Sequence, residues 1–423
     1  MRVLIASTSE KSCFQYLVPF AWALRTAGHE VRVASQPRFA AVITQAGLTA
    51  VPVGRDRNPW RVAARKPDDL ASIRAGLAEP YDAITDPAKA RWDYLSRGMS
   101  EAVRGWHRLT NVPMIDGLVR YAQHWKPHLI IWEPLCYAGP IAAKATGATH
   151  ARILFGIDVF GLTRQLFLHH KNQQPPHNQT DPLANWLNTY GHKYNYTFTE
   201  DMTTGHFTID QLPPSLQEHA TNLHYLPMQH IPYGGPAAIP HWLRTPPPKP
   251  RVALTLGLTA TEIFNGYNIP LPDIITTLAT LDIELIATIA TTEQHKLTHI
   301  PNNTRITPYT PWHTLAPTCT AVIHHAGAAT LTTTARWPIP QLSLHHHFDQ
   351  PILARKLTTQ GTGLDLPPPP PPPPPPHHKL HQLLTNPTHQ QHAQQLTNEI
   401  HNTPTPNHTI PHIEQLTTHH NNH

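Results

Sequence analysis

The sequence predicts an α/β protein made of two doubly wound domains that face each other across a cleft. Three observations carry that prediction. A strand, a helix and a second strand open the chain in the order that requires a parallel sheet. A second series of strands and helices starts at Arg251, after a proline-rich passage. The length of 423 residues is too great for one comfortable core and suits two domains of about 200 residues each.

Val3-Leu4-Ile5-Ala6 reads as a buried strand. The polar segment Ser7 to Cys13 leads into Tyr16–Leu24, whose apolar residues recur at helical spacing until Gly28 stops the helix. Val31–Ala34 is the next strand. The first loop has no glycine, so the dinucleotide fingerprint is absent and a nicotinamide enzyme loses its best support. Residues 55–110 are polar and helical in tone, with Trp92, Tyr94 and Trp106 as packing anchors or interface residues. Strands return at His128–Trp132, before Glu133-Pro134, and at Ala151–Phe155, before Gly156-Ile157-Asp158. Segments 169–182 and 188–206, rich in His, Asn, Gln and Thr, read as a surface segment that is mobile or faces the acceptor.

The prolines of residues 239–250 stiffen a linker. Beyond it, strands are expected at 251–257, 283–288, 320–323 and 339–344, with helices between them. Ten consecutive prolines, Pro367–Pro376, exclude a helix interior or a central strand. After them come residues low in charge, with weak helical content near 378–396 and little order expected at the end. These shifts place an N-terminal domain at 1–212, a linker region at 213–250, a C-terminal domain at 251–366, the polyproline run at 367–376 and a partly helical His/Gln/Thr-rich segment at 377–423.

A net charge of +5 without a Lys/Arg cluster argues against nucleic acid as a partner. Three scattered cysteines, Cys13, Cys136 and Cys319, fit a reducing cytoplasm better than a disulfide scaffold. The opening apolar run is too short for a signal peptide core or a membrane span.

Two segments carry chemistry. In Cys319–Thr330 an apolar strand runs into His324, His325 and small residues before a helix. Small residues let backbone N–H groups approach an anion, and a diphosphate suits such a loop. The alternative is that His324 packs in the core and His325 caps the helix. In His345-His346-His347-Phe348-Asp349-Gln350, a carboxylate beside an amide is suited to gripping sugar hydroxyls. Adjacent histidines seldom converge on one ion, so no metal is expected.

Taken together, these segments resemble the two-domain glycosyltransferases of antibiotic biosynthesis, in particular the subgroup that glycosylates macrolide and polyketide aglycones with an auxiliary protein. The pieces include Leu17–Val31, Gly47–Gly54, Trp92-Asp93-Tyr94-Leu95, Leu129–Pro134, Phe155–Asp158, Leu254–Gly257, Pro311–Cys319 and the double-histidine loop. The resemblance implies a GT-B fold of two Rossmann-like domains, with the acceptor in the first and the nucleotide sugar in the second. It implies inverting transfer of a deoxysugar from a thymidine diphosphate (TDP) donor, which is a co-substrate, so no cofactor is called for. His325, backed by Gly327, Ala328, Ala329 and Thr330, would hold the diphosphate. Pro311 and Trp312 would lie by the thymine, and Asp349 and Gln350 would face the sugar. The auxiliary protein implied has a cytochrome P450 fold and docks on the N-terminal domain. The family's loop has glycines where Ala326 and Ala329 stand here, and Cys13 replaces the family's base histidine. Glu10 and Asp158 are the other candidates for the acceptor's base. A catalytically weak nucleotide-sugar-binding homologue acting with a partner is the alternative reading.

Overall fold

The computed structural model describes every residue except 66, 258, 265, 268, 368–375, 422 and 423, and only the backbone of 67–69 and 72. The central polyproline residues Pro368–Pro375 thus lie outside the described residues.

Among the described residues, thirteen strands form two fully parallel sheets. The first is ordered β3-β2-β1-β4-β5-β6-β7, from β1 (Arg2–Ala6), β2 (Glu30–Ser35), β3 (Thr49–Pro52), β4 (Leu129–Trp132), β5 (Thr149–Ile153), β6 (Phe207–Asp210) and β7 (Tyr225–Pro227). The second is ordered β10-β9-β8-β11-β12-β13, from β8 (Arg251–Thr255), β9 (Glu284–Thr288), β10 (Thr304–Thr307), β11 (Ala321–His324), β12 (Gln341–Ser343) and β13 (Gly363–Asp365). β1 and β4 are buried almost throughout, as expected for apolar runs sandwiched between helix layers.

Both sheets reverse their winding once, between β1 and β4 and between β8 and β11. Ligands bind open α/β sheets in the crevice outside the strand ends at such a switch point. Register fixes where those ends lie: Ala6 pairs with Ala34 and Trp132, and His324 pairs with Thr255 and Ser343.

Helix α1 (Lys11–Thr26) starts earlier than the apolar spacing indicates, so Cys13 stands in its first turn rather than in the preceding loop. Further along, α2 (Trp92–Ala102) and α3 (Arg108–Trp125) are joined by a π-helical turn, Val103–His107. In the second half, α4 (Ala328–Thr334) follows β11 and α5 (Gln350–Thr359) follows β12. Of the segments 169–182 and 188–206, the second puts Met202 in the first core and packs Tyr190, Tyr194, Tyr196 and Phe198 against it, and neither lines the cleft described below.

The tail is helical to Asn421, through α6 (Pro376–Thr385), α7 (Pro387–Asn402) and α8 (Pro406–Asn421). α6 packs on the second sheet. α8 returns to the first, where Ile410 and Ile413 join the core formed by α1 and strands β1 and β2. A shared apolar cluster containing Tyr16, Phe160, Leu331, Leu353 and Leu396 joins the two halves beneath the cleft. Among the described residues no helix is long and apolar enough to cross a membrane.

Candidate active site

The connection after β1 is held down from below. Buried Glu133, just past β4, accepts hydrogen bonds from the Thr8 backbone N–H (2.9 Å) and hydroxyl (2.7 Å) through one oxygen, and from the Leu135 N–H (2.7 Å) through the other. The next turn therefore starts from a fixed point. Glu10 occupies the N-cap position of α1 without capping it. Its side chain instead accepts a hydrogen bond from Trp60 Nε1 at 2.7 Å. Burial dominates its electrostatics and raises the carboxyl to about 7. Cys13 is buried, and burial together with the charges of Glu133, Glu10 and Asp349 pushes its thiol well above the usual range. The same burial makes Glu10 a better base and suppresses the Cys13 thiolate.

On the opposite side, β11 ends at His324, which is wholly buried. Its Nδ1 accepts from the Ala326 N–H at 2.8 Å, so the ring proton sits on Nε2, which donates to Gln341 Oε1 at 2.6 Å. This pairing locks Ala326 into a left-handed conformation, φ +59°. That conformation costs an alanine roughly 1–2 kcal/mol relative to glycine. The alanine methyl is compatible with the loop.

His325 points the other way, into the cleft. Its ring is wedged between two glycines: a Cβ on Gly257, which has φ +71°, would lie 2.5 Å from Cε1, and a Cβ on Gly327 would collide with Nε2. Burial lowers its pKa to about 3, so the ring is a neutral hydrogen-bonding group across the working pH range. By helix geometry the N–H groups of Ala328, Ala329 and Thr330, in the first turn of α4, have no partner inside the helix.

Asp349 spans the two halves. Its Oδ2 accepts from the Ile157 N–H at 2.9 Å, and burial raises its carboxyl to about 7. It follows Phe348, whose φ of +52° is unusual for a bulky side chain. Phe348 N–H donates to Gly76 O at 3.2 Å, and its ring lies 6.1 Å from those of Phe155 and Phe160. Gln350 Oε1 accepts from the His346 and His347 N–H groups, which shapes the turn before α5.

These groups line one cavity of about 450 Å³. It gathers Glu10, Cys13, Trp312, His325, Gly327, Ala328, Ala329, Thr330, Asp349 and Gln350. Two residues singled out from the sequence are not brought there. Pro311 precedes the turn Trp312–Leu315 and spends its carbonyl on the Thr314 and Leu315 N–H groups. Asp158 is a correction to its reading as an acceptor-facing carboxylate. It is fully buried, paired with Arg152 at 2.5 Å, bonded by the Tyr225 hydroxyl at 2.6 Å, and caps the helix Val159–Asn172 through the Gly161 N–H. The reason is local: the Ile157 backbone faces Asp349, and the next side chain turns beneath the sheet.

Sequence reasoning missed Trp60, Tyr81, His107 and His230, which also line the cleft. Trp106 stands in its wall at 4.6 Å from Trp60. Trp92 and Tyr94 pack against the first core, with the Tyr94 hydroxyl on Asp82. Among the described residues the cavity is lined by three carboxylates, Glu10, Glu79 and Asp349, and by no Lys or Arg. Arg97 takes up Glu79 at 3.0 Å. An anion bound here is thus met by neutral donors rather than by a cation. The histidines 345–347 diverge: His345 faces Asp365 at 3.4 Å and His347 Nδ1 meets Ile73 O at 2.8 Å. A separate cluster, His150, Asp201 and His206, lies outside the cleft, where Lys144 meets Asp201 at 2.6 Å.

Residues 22–257 match the family model for the N-terminal domain of erythromycin biosynthesis protein CIII-like proteins, and 273–416 match that for the C-terminal domain. The chain is similar to the 10-deoxymethynolide desosaminyltransferase of Streptomyces venezuelae, with 40% identity over 99% of this chain and 98% of the relative. It is also similar to the aclacinomycin-T 2-deoxy-L-fucose transferase of Streptomyces galilaeus, with 37% identity over 99% of this chain and 97% of the relative. Among solved structures, glycosyltransferase VinC in complex with dTDP superposes with a TM-score of 0.88 and 34% identity, covering 99% of this chain and all of that one.

Proposed function

The chain belongs to the erythromycin biosynthesis protein CIII-like family, and we propose from that membership and from its cleft how it transfers a sugar. It is a GT-B glycosyltransferase that moves a deoxysugar from a TDP donor to a hydroxyl of a polyketide or macrolide aglycone, with inversion. The observation that supports the site assignment is the single cavity that joins the loop after β1 to the His325 loop after β11.

In this reading Glu10 removes the acceptor hydroxyl proton. The oxygen attacks the anomeric carbon, and the bond to the diphosphate breaks with its electron pair leaving on TDP. A base with a pKa near the working pH is best matched to this step, and Glu10 meets that condition where Cys13 does not. His325 and the N–H groups of Ala328–Thr330 stabilise charge on the leaving diphosphate as neutral, preorganised donors. Asp349 and Gln350 face the sugar, Trp312 lies by the base, and Pro311 shapes the turn that carries Trp312. The aromatic wall formed by Trp60, Tyr81, Trp106, Phe155 and Phe160 receives the aglycone.

The family relation further supports an auxiliary protein of cytochrome P450 fold docking on the N-terminal half. Its contact surface is not read from Trp92 and Tyr94, whose rings are engaged in packing. The three cysteines are free and buried, which supports a reducing, cytoplasmic setting. Incubation with a panel of TDP-deoxysugars and polyketide aglycones, with and without a candidate auxiliary protein and read by mass spectrometry, tests the function. A glycosylated aglycone is expected. Release of TDP with water as the only acceptor under every condition would refute the transfer.

A further inference from the structure

Among the described residues, the Tyr16 hydroxyl and the Nδ1 atoms of His107, His230 and His325 are buried without a hydrogen-bond partner on rings that line the cleft. Buried polar atoms in native proteins are paired in the great majority of cases, so each such orphan calls for an explanation, and on a ring that lines a ligand cleft the ligand can supply it. His230 is stacked on Tyr16 at 4.3 Å, with its Nε2 near the Thr333 hydroxyl. His107 stands in the aromatic half, and its setting is built.

Three features fix it. His107 closes the π-helical turn between α2 and α3. Single π turns inside α-helices are rare and concentrate at functional sites, because they rotate a side chain out of the helical register. Its carbonyl is held by the Thr110 hydroxyl (3.1 Å) and the Asn111 amide (2.9 Å), and Asn111 is itself tied to Leu135 O and the Ala138 N–H. Its Nε2 lies 2.6 Å from the Tyr81 hydroxyl, and the Tyr137 ring meets it edge-on at 4.9 Å.

We propose that His107 and Tyr81 together read an oxygen of the acceptor, which makes His107 a specificity-determining residue on the aglycone side of the cleft. The inference rests on the glycosyltransferase reading above. Its chemistry follows from proton counting. Burial keeps the imidazole neutral, with its pKa lowered to about 3, and raises the Tyr81 phenol well above its ordinary value. The pair therefore shares two protons over three polar sites. When Tyr81 donates to Nε2, Nδ1 carries a proton and offers a donor to a ketone. When Nε2–H donates to Tyr81, Nδ1 becomes an acceptor for a hydroxyl. One pair can thus meet either of the oxygen types common on polyketides, and a bare methylene leaves it unsatisfied.

Affinities of 10-deoxymethynolide and aklavinone, measured by calorimetric titration, test this with TDP affinity as the internal control. His107→Phe, which keeps a ring of similar shape, is expected to weaken aglycone binding tenfold or more and to leave TDP affinity unchanged. His107→Gln, which restores a donor and an acceptor, is expected to recover most of the loss. Wild-type aglycone affinity in a folded His107→Phe protein would overturn the assignment. So would an equal loss for aglycone and TDP, or a failure of His107→Gln to recover affinity while its melting temperature is unchanged. A wild-type chain that binds TDP but no aglycone also overturns it, whereas one that binds neither, and transfers no sugar, overturns the glycosyltransferase reading itself.

Discussion

Glu10 and Cys13 stand within one turn of each other at the start of α1, and burial acts on both in the same direction with opposite chemical results. A carboxyl raised to about 7 becomes a proton acceptor matched to neutral pH, whereas a thiol raised further is merely a small apolar group. Glu10→Gln is therefore expected to lower kcat by roughly 10²–10⁴-fold, with Cys13→Ser within a few fold of wild type. The wild-type rate should fall as pH drops through about 7 and Glu10 takes up its proton; steady-state kinetics from pH 5 to 9 checks both points. Asp158 has a structural task. Removing it in Asp158→Ala leaves Arg152 buried without its counter-charge, at a cost of about 3–5 kcal/mol in a chemical denaturation curve, whereas TDP affinity of the folded fraction stays unchanged. His325→Ala is expected to weaken TDP binding by about 1–3 kcal/mol in calorimetric titration, the cost of losing one donor to the diphosphate. The His325 loop was legible because its small residues and two histidines are contiguous in the sequence. The roles of Asp158 and His107 were not, because each depends on which way a side chain turns from an otherwise ordinary segment.

At the scale of elements, the long apolar runs that make β1, β4, β8 and β11 announce themselves, whereas β7 and β13 are three-residue strands. A three-residue edge strand has neither the length nor the alternation that distinguishes it from a loop, and only pairing with a neighbour defines it. The tail shows the same limit. Residues 406–421 are rich in His, Asn and Thr, so composition argues for little order, yet α8 places Ile410 and Ile413 in the core beside α1. It is clamped by Glu414 on His29 at 3.0 Å, by His420 stacked on His206 at 4.4 Å, and by Asn421 accepting from Thr149. Two isoleucines three residues apart were the available signal, and they matter only because a groove on the first sheet awaits them. Ile413→Ala is expected to destabilise the protein by about 2–5 kcal/mol in denaturant titration, although Ile413 does not line the cleft.

For the whole molecule, acid sensitivity follows from how many titratable groups are folded away. His107, His150, His230 and His324 are buried and His325 is half-buried in the cleft wall, and desolvation lowers each to about 3–4. Unfolded, each would titrate near 6.5. Their contribution to stability is thus present above pH 6.5 and is lost as pH falls, with each site adding up to about 1.4 kcal/mol per pH unit to the slope. Glu10 and Asp349, both raised to about 7, act in the opposite sense: their contribution is present below about pH 4 and is lost as pH rises to 7. Buried Glu133, raised by burial as well, acts with them; five sites outweigh three, so the unfolding midpoint in urea should drop between pH 6.5 and 4.5. A midpoint that rises over that interval would show that the carboxyls dominate.

The two parallel α/β sheets and the family resemblance can be read from the chain without its fold, because hydrophobic periodicity and contiguous motifs are local properties that survive without neighbours. The sequence also marks both halves of the cleft, since Glu10 and His325 each follow a strand that reads clearly. Which polar groups share that cleft and which are sealed from it is set by packing alone. The burial that raises Glu10, neutralises His325, silences Cys13 and buries Asp158 against Arg152 is a sum over atoms brought together from distant parts of the chain. Desolvation depends on that sum rather than on residue type.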